Sequence, residues 1–247
     1  MPLSLPQILN AGTCSSPDLD CTLVLQPVMN IKMDAPLAVA HECLLRVVQG
    51  EHLSSASKVI TSAEATGTIV DLDMQVISRA AQIAKAFPKS KLWVNVSQLS
   101  ITDSHFVEHT LEEFKRLSVL PRMTLEITET ADGDIQEMAF ALRRLGQRAV
   151  TVMLDDFMEG HAKQQLLHDR HVMGCKLSRV TTREISSCQA ARRHVERLVA
   201  ACRLAGKLVV LEGIEQEKEL QIARDLNIQL CQGFYFGAPS VPAQLLD

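Results

Sequence analysis

The sequence predicts an α/β fold, a closed (β/α) barrel, on three observations. Six apolar runs alternate with helix-like segments, which is the pattern of repeated βα units around a parallel sheet. Each run ends in a polar or charged side chain, and the C-terminal ends of barrel strands all open onto one face. The length of 247 residues suits one such barrel.

Composition sets limits on the function. Apolar residues make up 47% of the chain, which is enough to fill a large core, and the net charge of −4 without a basic run argues against duplex nucleic acid as a partner. Seven cysteines without a Cys-x-x-Cys spacing argue against a disulfide framework or structural zinc and suit a reducing cytoplasm. The sequence has no apolar stretch long enough to predict membrane insertion.

The elements follow in order along the chain. Residues 1–20 are rich in proline and serine and are predicted to be an irregular N-terminal arm, followed by one barrel domain at 21–247. Strands are predicted at 22–31 and 38–48, and so short a connection implies an antiparallel pair. Helical spacing of apolar residues predicts helices at residues 71–87, 103–117, 134–145, 160–167, 183–204 and 216–226.

The later strands end in side chains that are candidates for one site. Because side chains alternate along a strand, Asn95, Glu126 and Glu212 are expected to face the barrel axis. Several carboxylates aimed at one cavity repel each other unless a cation lies between them. The set is dominated by oxygen, which favours Mg²⁺ or Mn²⁺ over Zn²⁺ or copper. The candidates are Asn95, Glu126, Asp155, Asp156, Lys176, Glu212 and Gln232.

Each candidate taken alone has a simpler interpretation. Asp155 or Asp156 would cap the next helix, and Glu126 or Glu212 would form half of a salt bridge. Lys176 would be an exposed strand end, or a Schiff-base lysine as in barrel aldolases. Only their joint occurrence predicts a site.

Short motifs in order along the chain resemble the EAL domain family. They cover nearly all of it from residue 20 onward, and the whole set, in the family's order and spacing, is specific where any one motif would be weak. They are Gln-Pro-Val at 26–28, Glu-Cys-Leu-Leu-Arg at 42–46, Val-Asn-Val-Ser at 94–97, Leu-Glu-Ile-Thr-Glu at 125–129, Leu-Asp-Asp-Phe at 154–157, Glu-Gly-Ile-Glu at 212–215 and Gln-Gly-Phe at 232–234.

The resemblance implies a TIM-like (β/α)8 barrel with an antiparallel first strand, a homodimer, and hydrolysis of cyclic di-GMP to linear pGpG with two Mg²⁺ or Mn²⁺ ions. Lys176 and Glu42 would be catalytic, Lys176 by orienting the attacking water, and Glu129 would anchor the loop after the Asp pair. Gln26, Leu44 and Arg46 would contact the dinucleotide, Arg46 through a phosphate. The implied metal shell is Glu42, Asn95, Glu126, Asp155, Asp156, Glu212 and Gln232.

Two departures from the family pattern favour reduced activity. Ser178 stands where active relatives have Asp two positions after the lysine, and Met158-Glu159 replaces a Gly-Thr pair in the loop after the Asp pair. Three hypotheses follow: a metal-dependent cyclic di-GMP phosphodiesterase, an inactive EAL domain that binds the dinucleotide or a protein partner, and an aldolase-type barrel that uses Lys176.

Overall fold

A computed structural model describes residues 20–33, 35–50, 52–128, 134–158 and 165–245. Within these ranges nine strands form one sheet in the order β1-β9-β8-β7-β6-β5-β4-β2-β3, and β1 also pairs with β2. The strands are β1 (Cys21–Asn30), β2 (Leu37–Gln49), β3 (His52–Ser55), β4 (Leu92–Val96), β5 (Met123–Ile127), β6 (Thr151–Leu154), β7 (Val172–Leu177), β8 (Leu208–Leu211) and β9 (Leu230–Cys231).

The pairing of β1 with β2 closes the sheet into a barrel. Strand β1 runs antiparallel to both of its neighbours, β2 and β9, whereas the pairs from β2 through β4 to β9 are parallel. A connection as short as that between β1 and β2 leaves no room for the crossover that a parallel pair needs. The predicted TIM-like (β/α)8 barrel with an antiparallel first strand is confirmed.

Helices cover the outside of the barrel, and Asp103 and Asp134 cap two of them by accepting backbone N–H groups of the first turn. No helix in the described ranges is long and apolar enough to cross a membrane. The helices are α1 (Ser57–Thr66), α2 (Ile69–Ala86), α3 (Gln98–Thr102), α4 (Ser104–Arg116), α5 (Ile135–Gly146), α6 (Arg179–Ser187), α7 (Gln189–Leu204), α8 (Glu217–Asp225) and α9 (Pro242–Leu245).

Some predicted elements differ from the structure. The single helix predicted at 183–204 is wrong: α6 and α7 meet at Cys188, which has extended backbone angles of φ −118° and ψ 114°. Strand β3 was not predicted. The helix predicted at 160–167 lies mostly outside the described residues, which show a 3-10 turn at Leu166–His168. Residues 1–19 of the predicted arm also lie outside them.

An apolar plug fills the lower half of the barrel interior. The plug is one cluster of buried side chains. Because side chains alternate between the two faces of a strand, the residue two positions after a plug residue faces the barrel interior as well. For Ala40, Trp93 and Val210 those next inward positions are Glu42, Asn95 and Glu212. The plug consists of Val28, Ala40, Trp93, Met153, Val210 and Leu230.

Strands β1, β2 and β3 extend beyond the rim of the barrel. The pairing of β2 with β4 stops at Cys43, while its pairing with β1 continues to Val47 opposite Cys21. Strand β3 pairs only with this overhang. A small cluster of Cys21, Val47 and Ala56 packs the overhang against the start of α1. The overhang therefore stands beside the face onto which the parallel strands open.

Candidate active site

Glu42, on β2, is a buried carboxylate held from three directions. Asn95 Nδ2 donates a hydrogen bond to Glu42 Oε1 at 2.6 Å, and Gln232 Nε2 donates to Oε2 at 2.7 Å. Lys176 Nζ donates to Oε2 at 3.0 Å. Burial acts to raise the pKa of Glu42, but the Lys176 charge and these hydrogen bonds outweigh burial and hold the pKa below its ordinary value. Glu42 is therefore an oriented, ionised group.

Lys176, on β7, lies at the centre of the site and is fully buried. Its Nζ is 2.6 Å from Glu212 Oε1, 3.2 Å from Glu126 Oε2 and 3.6 Å from Asp155 Oδ1, in addition to Glu42. Burial acts to lower the pKa of Lys176, but the four carboxylates hold the pKa well above its ordinary value. A Schiff-base lysine needs a neutral amine, so this environment argues against the aldolase hypothesis.

Negative charge in the site exceeds the single charge of Lys176. Burial and the neighbouring Glu42, Asp155 and Glu212 raise the pKa of Glu126 well above its ordinary value. Burial, together with Asp155 and Glu42, also raises the pKa of Glu212 to about 8. Two carboxyl groups are thus difficult to ionise in the protein alone. Additional positive charge would relieve this repulsion.

The oxygens of the site fit a divalent cation. Carboxylate oxygens of Asp155, Asp156 and Glu212 lie within 4.8 Å of one another. Among the described groups, Asn95 Oδ1 and Glu126 Oε1 are buried without a hydrogen-bond donor. Buried acceptors left unpaired cost free energy, and a metal ion is one way to satisfy them. A donor set made only of oxygens suits Mg²⁺ or Mn²⁺.

The Asp155–Asp156 turn is fixed by backbone bonds to its neighbouring strands. Asp155 N donates to Ile127 O at 3.0 Å, and Phe157 N donates to Lys176 O at 3.0 Å. Asp156 has φ of +47°, a left-handed conformation that is uncommon outside glycine and that concentrates at functional sites. Neither residue is the N-cap of a described helix, because the 3-10 turn that follows begins after Gln165.

An open cleft of about 250 Å³ gives access to these groups. Gln26 and Leu44 line it, together with Glu42, Asp155, Asp156, Glu212 and Gln232, all of which the sequence predicted. Five further lining residues were not predicted as site residues: Gly213, Gly233 and the side chains of Arg179, Glu215 and Phe234. Glu215 and Phe234 stand inside the quoted motifs, and Arg179 follows Ser178 directly, so their positions beside site residues were the available signal.

The other predicted residues lie around this cleft in different ways. Gln26 accepts a hydrogen bond from Gln232 Nε2 at 3.1 Å. Arg46 is not among the residues lining the cleft, and its Nη1 donates to Leu45 O at 2.9 Å. Ser178 caps α6, since its Oγ accepts from Val180 N at 3.2 Å. Glu129 and Glu159 lie outside the described residues.

Curated relatives resemble most of this chain but are longer. The probable cyclic di-GMP phosphodiesterase PdeG of Escherichia coli strain K12 is 26% identical over 223 residues, which are 87% of this chain and 43% of that protein. The cyclic di-GMP phosphodiesterase PdeF of the same strain is 24% identical over 224 residues, 88% of this chain and 30% of that protein. The chain therefore spans less than half the length of either relative.

Solved structures share the fold. The MucR phosphodiesterase in complex with cyclic di-GMP superposes with a TM-score of 0.83 at 26% identity, covering 92% of this chain and 94% of that one. The FimX EAL domain of Pseudomonas aeruginosa, bound to cyclic di-GMP, gives 0.80 at 19% identity over 92% of this chain and 93% of that one, a likeness of fold alone. The model of the EAL domain family matches residues 18–239. The chain belongs to the EAL domain family.

Proposed function

We propose that this chain hydrolyses cyclic di-GMP to linear pGpG with the help of two Mg²⁺ or Mn²⁺ ions. One observation carries the proposal: carboxylates that are distant in sequence converge around Lys176 beside an open cleft. The relatives PdeG and PdeF are named as phosphodiesterases of this dinucleotide, which supports the same substrate here.

Seven side chains would hold the ions. The unpartnered oxygens of Asn95 and Glu126 and the close carboxylates of Asp155, Asp156 and Glu212 support this assignment. Bound cations would supply positive charge that polarises the attacking water and offsets the charge developing on the phosphate. The proposed ligands are Glu42, Asn95, Glu126, Asp155, Asp156, Glu212 and Gln232.

Lys176 acts in this proposal as a charged hydrogen-bond donor. Four carboxylates lie within 3.6 Å of its Nζ, so the amine remains protonated and can orient the oxygen of a water molecule but cannot remove its proton. Glu42 fixes the position of that amine, because Asn95 and Gln232 fix Glu42 in turn. Glu129 keeps its proposed role of anchoring the loop after the Asp pair.

The rim of the cleft offers contacts for the dinucleotide. Gln26 and Leu44 line the cleft and are proposed to contact the substrate. Arg46 would reach a phosphate by leaving its contact with Leu45 O. Arg179 adds a second guanidinium for a phosphate, and the exposed ring of Phe234 can stack on a base.

The proposal is tested by incubating the protein with cyclic di-GMP and Mn²⁺ and following pGpG by chromatography. We expect product that disappears on addition of a chelator, and a loss of about 100-fold or more in Glu42→Gln, since this carboxylate links the lysine to the ligand shell. Glu112→Gln, on the exposed face of α4, is the matched control and should keep its activity. Product formation at the same rate in the presence of the chelator would overturn metal dependence. Full activity in Glu42→Gln would remove Glu42 from the site.

A second candidate is an EAL domain that binds cyclic di-GMP, or a protein partner, without turnover. Ser178 favours it, because its hydroxyl caps α6 where active relatives have a carboxylate. Met158 in the loop after the Asp pair favours it as well. Calorimetric binding of the dinucleotide without pGpG would support this candidate. The homodimer stays a prediction from the resemblance, and sedimentation of the protein with and without dinucleotide measures it.

A further inference from the structure

Two thiols meet in the layer between the barrel and its helices. Cys175 lies on β7 and is fully buried, and Cys202 lies in the last turns of α7 with 2% of its surface exposed. The Cys175 and Cys202 thiols lie within hydrogen-bonding reach of each other. The contact joins a barrel strand to an outer helix, with 26 residues between the two cysteines in the sequence.

A cavity of about 460 Å³ leads to one of these thiols. Cys202 lines the cavity together with Met158, Leu198 and Lys207, whereas Cys175 lies behind it. The hydrogen bond with Cys175 lowers the pKa of Cys202, burial acts in the opposite direction, and the Lys207 charge lowers the pKa further. Lys207 Nζ is fixed by hydrogen bonds of 2.6 Å to the carbonyls of Asp169 and Val172.

The geometry points to a modification site at which a hydroperoxide oxidises Cys202 and Cys175 closes the product to a disulfide. The Cys202 thiolate attacks the terminal oxygen of the hydroperoxide, the O–O bond breaks, and an alcohol or water leaves with the proton. This gives a sulfenic acid on Cys202. The Cys175 thiol then attacks the sulfenic sulfur and water leaves, so that two thiols are oxidised and one O–O bond is reduced.

The disulfide would act on the strand that holds Lys176. A disulfide bond of about 2.05 Å is shorter than a thiol hydrogen bond, so closure draws Cys175 toward α7. Lys176 follows Cys175 directly and faces the opposite side of the strand. Closure therefore pulls Lys176 away from the carboxylates.

Peptide mapping tests the modification site in the full chain. Protein treated with hydrogen peroxide is blocked with iodoacetamide and digested with trypsin without reductant. Trypsin places Cys175 in residues 171–176, Cys202 in 198–203 and the exposed Cys188 in 184–192. We expect a linked 171–176/198–203 peptide, lighter by two hydrogen atoms than the sum of its parts, that dithiothreitol separates. Cys188→Ser is the matched control and should give the same linked peptide.

Either of two oxidation patterns in the wild-type protein would overturn the site. One is a protein in which both peptides stay as alkylated thiols while the Cys188 peptide is oxidised. The other is Cys202 oxidised to the sulfinic acid without a link to Cys175. Cys202→Ser, with its folding checked by circular dichroism, should leave Cys175 alkylated after peroxide, and a different disulfide partner for Cys175 would also overturn the pairing.

The effect on turnover is a separate measurement that rests on the proposed function. Reduced protein is assayed first with cyclic di-GMP and Mn²⁺, then after peroxide, then after dithiothreitol. We expect turnover to fall in proportion to the linked peptide and to return on reduction. An inactive reduced protein would refute the proposed function and leave the peptide map decisive for the thiol pair. If the reduced protein is active and its turnover rate stays the same after the disulfide has formed, the coupling to Lys176 is refuted.

Discussion

The two halves of the barrel interior are built on the same strands and differ in what holds them together. The lower half is the apolar plug around Trp93 and Met153, whose buried surface stabilises the fold. In the upper half, one lysine faces several carboxylates, and two of them have raised pKa values. Such a layer costs stability in the absence of added charge. A period-two strand can therefore carry a stabilising layer and a costly functional layer side by side.

The largest effect should come from emptying the plug. Trp93→Ala removes a buried indole and is expected to lower the free energy of unfolding by about 4 kcal/mol. Urea unfolding followed by circular dichroism measures the change. Leu204→Ala is the matched control, because that residue is 87% exposed, and it should change the free energy by less than about 0.5 kcal/mol. Equal effects of the two substitutions would mean that the plug does not stabilise the barrel.

A somewhat smaller effect is expected in the upper half. Lys176→Met leaves buried carboxylates without their cation and should lower the free energy of unfolding by about 3 kcal/mol. Mn²⁺ should restore more of this loss in the variant than it adds to the wild type, since a divalent ion can replace the missing charge. Thermal unfolding of both proteins with and without Mn²⁺ measures the stability lost by the substitution and the stability gained from the ion. Stability that is unchanged by the substitution would show that the carboxylates do not depend on Lys176.

Asp73, on α2, is a buried carboxylate outside the barrel, with no lysine in its ion-pair environment among the described contacts. Its Oδ2 accepts a hydrogen bond from Ser97 N at 2.9 Å, and burial raises its pKa to about 6. Since the folded pKa exceeds the unfolded value of about 3.9, the folded state binds the proton more tightly and loses stability as pH rises from about 4 to about 6.

Asp73→Asn should remove this pH dependence. Relative to the variant, the wild type is expected to lose on the order of 2 kcal/mol between pH 4 and pH 6, a few tenths of a kcal/mol more up to about pH 7, and nothing further above that. Urea unfolding of both proteins across this range isolates the contribution of Asp73, because the other titrating groups are common to both. A difference that is constant with pH would contradict the raised pKa.

The smallest effect on stability is expected at Ser178. Asp caps a helix about as well as Ser, so Ser178→Asp should change the free energy of unfolding by less than about 0.5 kcal/mol. Turnover of cyclic di-GMP should rise roughly tenfold, the scale of a residue that supports metal ligands. Steady-state kinetics with Mn²⁺ measures the change, and Ser186→Asp on the same helix is the control. An unchanged rate would show that Ser178 does not limit activity.

The sequence predicted the barrel well because its strands carry strong local signals. Runs such as residues 208–211 are apolar and end in a charged residue, and the short turn after β1 leaves only an antiparallel pairing. The inward direction of Asn95 and Glu126 followed from alternation along the strand. These features depend on spacing alone.

What was missed depends on tertiary contacts. Strand β3 has the sequence His-Leu-Ser-Ser and forms only because the overhang of β2 supplies backbone partners. The break at Cys188 falls inside a helical pattern that continues on both sides. The four ion pairs of Lys176 join residues up to 134 positions apart, and no local pattern contains such distances.

The antiparallel direction of β1 decides where the chain enters the barrel. Cys21 is paired with Val47 on the overhang, so the first residue of β1 lies on the same side of the barrel as the cleft. From there β1 leads within five residues to Gln26, which accepts the hydrogen bond from Gln232. A load applied at Cys21 would thus be transmitted along β1 to Gln26 at the edge of the cleft, so a displacement of the first residue of this strand would reach the site without passing through another element.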